Sequence, residues 1–245
     1  MAARESRLAE SLIALADDLG TDEVAYWQRV VHHLAELVAP ADVGLLSLSD
    51  SGHLTEITAQ TWRMQHLLRI EARVHEGPCS SSHGSGRRVR ADLDSADWRR
   101  PRFAPEARGA GFTSATALPM AHNDDSLGAV SILAGGLRTD RDPDIDMAAA
   151  FVEAAAIGIV QRRAYRSAAR RAAWLQDALD SRVLIEQAKG MLSAQLHTTP
   201  DAAYDIMHAY ARDHGRRLQE VAEVTIRGEL DWSTLGSQLG PAPHP

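Results

Sequence analysis

The stretch LIEQAKGMLSAQ, residues 184–195, contains Lys189, the only lysine among 26 basic side chains; all the others are arginines. Lysine offers a compact ammonium on a flexible stem and arginine a rigid planar fork, so the two are not interchangeable where a small point charge is needed. Two readings of Lys189 stand at this level. It is an exposed helical cation paired with Glu186, worth about a few tenths of a kcal/mol, or it is a point charge for a phosphate or a base edge. Arg182, seven residues earlier, falls on nearly the same helical side, and both charges are expected to face outward with Ser193 beside them. A second group, Tyr210, Arg212, His214, Arg216 and Arg217, combines ring and guanidinium planes on which unstacked bases can lie with cations for phosphates. The same residues also read as a solvated helix end with cations favourably placed near a C-terminus.

Other chemistry is sparse. Cys79 is the one cysteine, and it follows EGP. It reads either as a small buried residue or as a reactive thiol, although no basic residue adjoins it in sequence to lower its pKa. Trp62 and Trp98 are candidates for pocket walls or for plain core. The histidines show no metal spacing, and the pair His32 and His33 points to different helix faces. No catalytic residue, metal ligand, phosphate loop, kinase motif or cyclase motif is identified.

Composition bounds what these residues can belong to. A chain of 245 residues suffices for one large or two modest domains. A single cysteine excludes an internal disulfide framework and any multi-cysteine metal site, which fits a reducing cytoplasm. The N-terminal MAARESRLAESLIALADDLG interrupts its apolar residues with charges, so neither a signal peptide nor an anchor is expected. No apolar run is long enough to span a bilayer. The reading is a soluble cytoplasmic protein without membrane partners. The net charge of −7 is unevenly spread: residues 1–160 hold 15 basic and 23 acidic side chains, and residues 161–245 hold 11 and 10. The basic clusters RRAYRSAARR, from Arg162, and ARDHGRR, ending at Arg217, give a weak nucleic-acid signal without a broad basic face.

The elements that must position these residues fall into two styles. From Ser6 to Val38 the pattern is one or two amphipathic helices broken near Gly20. DVGLLSLSD and HLTEITAQT form a hairpin, RVRADL a short strand, and TSATALPMAH with LGAVSILAGG a second hairpin. Antiparallel hairpins with flanking helices predict an α+β domain. From Pro143 a run rich in Ala, Leu and Arg, without further proline, predicts one long helix. Along it Ala148, Val152, Ala155 and Ile159 share a stripe facing the first domain. Tyr165, Ala168, Ala172, Leu175 and Leu179 then step as a coiled-coil seam that calls for a partner helix. Leu184, Ala188 and Met191 form a further apolar stripe, with Gly190 a place for close helix approach. TTPDAAYDIMHAYARDHG carries a Thr cap, Pro at the first helical position and Gly215 past its end. RRLQEVAEVTIRGEL predicts a third short helix, and the tail GPAPHP has little to pack.

VLIEQAKGMLSAQLHTTPDAAYDIMHAYARDHGRRLQEVAEVTI resembles an ANTAR domain, the RNA-binding output module of bacterial transcription antitermination regulators. EQAKG, PDAAY, YARDH and LQEVAE carry the likeness. EGPC at 76–79, DWRRPRFAPEARGAGFTSATALPM and LGAVSILAGG resemble a GAF sensor domain, with SSSHGSG departing from the more apolar helix usual there. The resemblance implies an α+β GAF domain, an antiparallel sheet flanked by helices, joined through a long helix to an all-α three-helix module. The chain then divides as a sensor at 1–160, a helical coiled-coil linker at 161–182, an RNA-binding domain at 183–232 and a flexible tail at 233–245. It further implies that Lys189 lies on the RNA-recognition surface, that the partners are paired hairpins of nascent transcripts and, indirectly, RNA polymerase, and that two modules act together as a homodimer. A small-molecule ligand of the sensor is expected without an identity.

Two other functions compete with this regulator. GAF folds include methionine sulfoxide reductases, but one cysteine cannot supply both the reaction and its resolving thiols. A DNA-binding regulator using its last helices as a helix-turn-helix lacks the broad basic face that duplex binding favours.

Overall fold

A computed structural model of the chain describes residues 2–16, 22–49, 51–95, 102–123, 125–136, 142–230 and 232. Trp98, the expected break at Gly20 and the tail at 233–245 lie outside the described residues. The chain divides into two compact units, Met1–Tyr165 and Arg166–Pro245.

The first unit is built on helices α1 (Ala2–Ala16), α2 (Glu23–Val38), α3 (Trp62–Val74), α4 (Pro78–Ser85) and α5 (Phe103–Gly109) with strands β1 (Asp42–Leu48), β2 (Leu54–Ala59), β3 (Val89–Asp92), β4 (Ser114–His122) and β5 (Asp125–Ala134). The strands make one antiparallel sheet in the order β2-β1-β5-β4-β3. Both of its faces are covered, which explains why β1 and β5 read as nearly continuous apolar runs. Val43, Leu45, Leu118, Met120, Val130 and Ile132 point to one side, into a core shared with Trp27, Val30 and Leu34 of α2 and with the start of the long helix α6 (Pro143–Leu196). Leu46, Ala115, Ala129 and Leu133 point to the other side and join Met64, Leu68, Cys79 and Phe103 from α3, α4 and α5. The stripe Ala148, Val152, Ala155 and Ile159 of α6 is buried, as is Phe151. Tyr26 anchors this contact: its hydroxyl donates to the Ala155 carbonyl at 2.9 Å, and the buried Arg162 guanidinium lies over its ring at 4.5 Å. Burial pushes the Tyr26 phenol up to about 12.

The EGPC stretch owes its conformation to a carboxylate on the neighbouring helix. Glu71 of α3 is fully buried, and its Oε1 accepts the Ser80 N–H at 2.8 Å in the first turn of α4. That bond satisfies one of the donors an α-helix leaves open at its start. Gly77 is needed for close approach, since a Cβ there would sit within 2.4–2.8 Å of the Glu71 carboxyl. Pro78 then opens α4, where its fixed φ suits a first helical position. The polar SSSHGSG forms a helix because its serines bond locally: Ser82 donates to the Arg87 carbonyl at 2.8 Å and Ser85 to that of Ser81 at 2.7 Å.

The second unit holds the remainder of α6, then α7 (Pro200–Asp213) and α8 (Leu218–Ile226). Thr199 caps α7 by accepting the Ala202 N–H at 3.2 Å, and Gly215, at φ 61°, follows its end in the left-handed conformation that favours glycine. Ala188 and Leu192 of α6 pack with Ala203, Met207 and Ala211 of α7, Val221 and Ala222 of α8, and Trp232. The expected stripe through Leu184, Ala188 and Met191 is corrected by one residue. Leu192 is buried and Met191 exposed, because the packed face passes through residues four apart rather than three. Nor is Gly190 a site of close helix approach, since a Cβ there would meet nothing within 4 Å.

Burial pushes the Glu71 carboxyl up from 4.5 to about 7, against the Ser80 and Cys79 N–H groups that favour its charged form. The folded chain therefore keeps this proton over a range where the unfolded chain has lost it. Its contribution to stability is complete below about pH 4.5 and is lost as the pH rises through about 7. Between these limits Glu71→Gln is expected to gain on the wild type by on the order of 3 kcal/mol. Urea unfolding at a series of pH values checks this, and parallel curves for the two proteins would refute it.

Candidate nucleic-acid interface

The residues around the α7–α8 junction are set by local bonds. The His214 ring stacks on that of Tyr210 with centroids 3.9 Å apart, and its Nδ1 lies 2.9 Å from the Tyr210 carbonyl oxygen. That carbonyl can only accept, so Nδ1 carries the proton and Nε2 is left for another partner. Tyr210 is half-buried and also meets the buried Trp232 edge to face at 5.2 Å. The Arg216 N–H donates to the Ala211 carbonyl at 2.8 Å, and the Arg217 N–H to the Glu220 carboxylate at 3.2 Å, which starts α8. Tyr210, His214 and Arg216 line a shallow cleft of about 430 Å³ together with Val224, Glu229 and Leu230. The Arg227 guanidinium, 2.6 Å from Glu229, holds that carboxyl below the usual range. Arg212 and Arg217 are exposed and do not line the cleft; Arg212 meets Asp213 at 3.3 Å.

Lys189 and Arg182 lie apart from this cleft, on α6. Arg182 is exposed. Lys189 is not the outward-facing charge its helical position predicts: its side chain is only 19% exposed, and its ammonium sits 2.6 Å from the Glu186 carboxylate. The i,i+3 partner draws the flexible stem along the helix instead of letting it extend.

The expected seam side chains Tyr165, Ala168, Ala172, Leu175 and Leu179 are all exposed, Leu175 at 55% and Leu179 at 59%. At the other end of the chain, Cys79 is fully buried, with its thiol 3.6 Å from the Ala129 carbonyl. Burial and the nearby Glu71 push its pKa up, the reverse of what a reactive thiolate needs. Trp62, in the first turn of α3 after its Thr61 cap, is 78% exposed and so is not part of the core. No group of His, Cys, Asp and Glu among the described residues is arranged to hold a metal, and no described helix is long and apolar enough to cross a membrane.

Glu229 and Leu230 at the cleft and Trp232 in the core carry no motif that marks them in the sequence. The apolar pair Leu230 and Trp232 just beyond α8 was the available signal, but without a helical period it does not say what it packs against. Trp174 on α6 is exposed and no motif marks it in the sequence.

The ANTAR domain family matches residues 173–225. The curated proteins gave no match. Among solved structures, the N-terminal part is similar to a domain attributed to a two-component sensor histidine kinase protein from Sinorhizobium meliloti 1021, with 14% identity over 62% of this chain and 99% of that one and a TM-score of 0.50. At this identity the likeness is one of fold. The GAF domain/HD domain protein from Geobacter sulfurreducens gives 16% identity, coverages of 62% and 97% and a TM-score of 0.47. The GAF domain of Acinetobacter phosphoenolpyruvate-protein phosphotransferase gives 10%, 67%, 96% and 0.49.

Because Trp232 is buried against Tyr210, it holds the cleft from behind. Trp232→Ala is expected to cost about 3–5 kcal/mol, seen as an earlier urea midpoint for the second unit. An unchanged midpoint would mean that the cleft does not depend on it.

Proposed function

From a chain in which an ANTAR domain follows a GAF-like unit, we propose an RNA-binding transcription antitermination regulator, in which a signal at the sensor controls binding of the module to paired RNA hairpins as a homodimer. The observation that carries the reading is the ANTAR match over residues 173–225, a segment in which α6, α7 and α8 pack around one core. The division into a sensor at 1–160, a linker at 161–182, an RNA-binding domain at 183–232 and a tail at 233–245 belongs to the same proposal.

RNA loops offer unstacked bases, and the Tyr210–His214 stack with Arg216 supplies planes and donors for them. Arg212 and Arg217 flank the cleft for phosphates. Lys189 contributes differently from a solvated charge. Its ammonium is mostly covered and held on Glu186, so it presents a fixed, compact donor in place of the planar fork of a guanidinium. Exposed Tyr165, Leu175 and Leu179 on a continuous helix support pairing with a second copy, because apolar side chains at heptad spacing are stabilised by burial in a coiled coil. A ligand or partner at the sensor then acts by favouring one state of α6 over another, which requires different affinities for the two. These roles are regulatory and place no reaction in either unit. RNA polymerase is affected indirectly, through the transcript.

The test is binding of the purified protein to a labelled two-hairpin RNA against duplex DNA of equal length. Tight, RNA-selective binding is expected, with Lys189→Ala and Lys189→Arg each about tenfold weaker or more. Equal binding to the duplex would favour a DNA-binding regulator, and full affinity in Lys189→Arg would remove the special role of the lysine. Light scattering checks the seam separately: the wild type should have the mass of a dimer, and Leu175→Asp with Leu179→Asp that of a monomer. A monomeric wild type at micromolar concentration would sink the pairing.

A further inference from the structure

Between Glu153 and Asp177, α6 carries five arginines and no acidic residue, in a chain of net charge −7. Arg170 and Arg171 of this run are exposed, and three to four residues beyond them Trp174 is 69% exposed. We propose that Arg170, Arg171 and Trp174 form a contact site for single-stranded RNA flanking the hairpin, with the indole as a stacking platform for one base and the guanidiniums on adjacent phosphates. The proposal rests on the RNA-binding reading above and extends it to a second site.

Self-association through the seam does not account for this face. With Tyr165, Ala172 and Leu179 at a positions and Ala168 and Leu175 at d, Trp174 falls at c and Arg170 at f, on the outer surface of a coiled coil, and Arg171 at g, on its flank. A second copy on the seam therefore leaves the indole and the Arg170 guanidinium open to solvent. The three side chains are helical neighbours at i, i+3 and i, i+4, spread over about 6 Å along the axis, a span suited to one or two nucleotides. Arg171 donates to Ser167 at 3.0 Å through one of its nitrogens and keeps further N–H donors. The patch is bounded, because the next f and b positions are Asp177 and Asp180, which repel phosphate.

Charge alone would suit an acidic protein surface equally well. What favours RNA is the exposed indole beside the cations, since base stacking on an aromatic ring next to positive charge is how single strands are held without sequence preference. Trp174 also lies within the ANTAR match and about 22 Å along α6 from Lys189. It would therefore meet a different stretch of RNA from the one Lys189 meets.

The test uses the full chain and two RNAs, a two-hairpin RNA with its joining single strand and one blunt hairpin without flanking nucleotides. On the joined RNA, Trp174→Ala should weaken binding about tenfold and Trp174→Phe much less, while Arg170→Gln with Arg171→Gln should lower the slope of log affinity against log salt by about 1.4. On the blunt hairpin all variants should match the wild type. Wild-type affinity of every variant for the joined RNA overturns the site and leaves the RNA reading standing. Equal loss on both RNAs also overturns it, since the defect would then be structural. A wild type that binds neither RNA defeats the RNA reading and this site with it. A salt-sensitive loss of self-association in the variants, with RNA affinity intact, reassigns the face to protein.

Discussion

The hydrogen-bond ladder of α6 is the constraint on which the rest depends. One helix of 54 residues, from Pro143 to Leu196, contributes a packed stripe to the core of each unit and an exposed stretch between. An α-helix repeats every 3.6 residues, so its buried face is chosen only by which residues are apolar, and the choice can change along its length without breaking a backbone bond. Early on, Ala148, Phe151, Val152, Ala155 and Ile159 are buried against the sheet. Near its end, Ala188 and Leu192 are buried against α7 and α8. From Arg171 to Asp180 every side chain is exposed, and there the sequence itself separates a face of Ala and Leu from one of Arg and Trp.

Buried polar groups define the first unit as much as its apolar core does. The Glu71 carboxyl closes the start of α4 and excludes any side chain at position 77. The Tyr26 hydroxyl ties α2 to the Ala155 carbonyl of α6, and Arg162 lies over the same ring. Removing one partner of such a pair leaves the other desolvated and unpaired, which costs more than the bond itself contributes. These contacts therefore specify how the helices sit on the sheet. Cys79 belongs to this packed side of the sheet, where a buried neutral thiol behaves as a small apolar residue.

The second unit separates its chemistry by exposure. Lys189 is largely covered and paired with an acid, whereas the rim of the α7–α8 junction shows a ring stack and three exposed arginines. In such an arrangement the covered cation is held by its acid partner, and the exposed ones are the more open to screening by salt. At the covered position the compact ammonium meets Glu186 at 2.6 Å, whereas the rim carries arginines.

Much of this architecture was legible from residue order alone. The two hairpins, the uninterrupted helix from Pro143 and the capped helix from Pro200 follow from period, proline placement and turn residues, all local properties that a chain carries before it folds. The likeness in EQAKG, PDAAY and LQEVAE was legible for the same reason. What tertiary structure decided was which of several possible partners each side chain took. Met191 and Leu192 are equally apolar, and only packing against α7 and α8 chose Leu192. Lys189 could extend into water or fold onto Glu186, and the structure places its ammonium on Glu186. Glu71 is one of 33 acidic residues in the sequence, and nothing local marks it as the buried one, because burial is set by elements that meet only after folding.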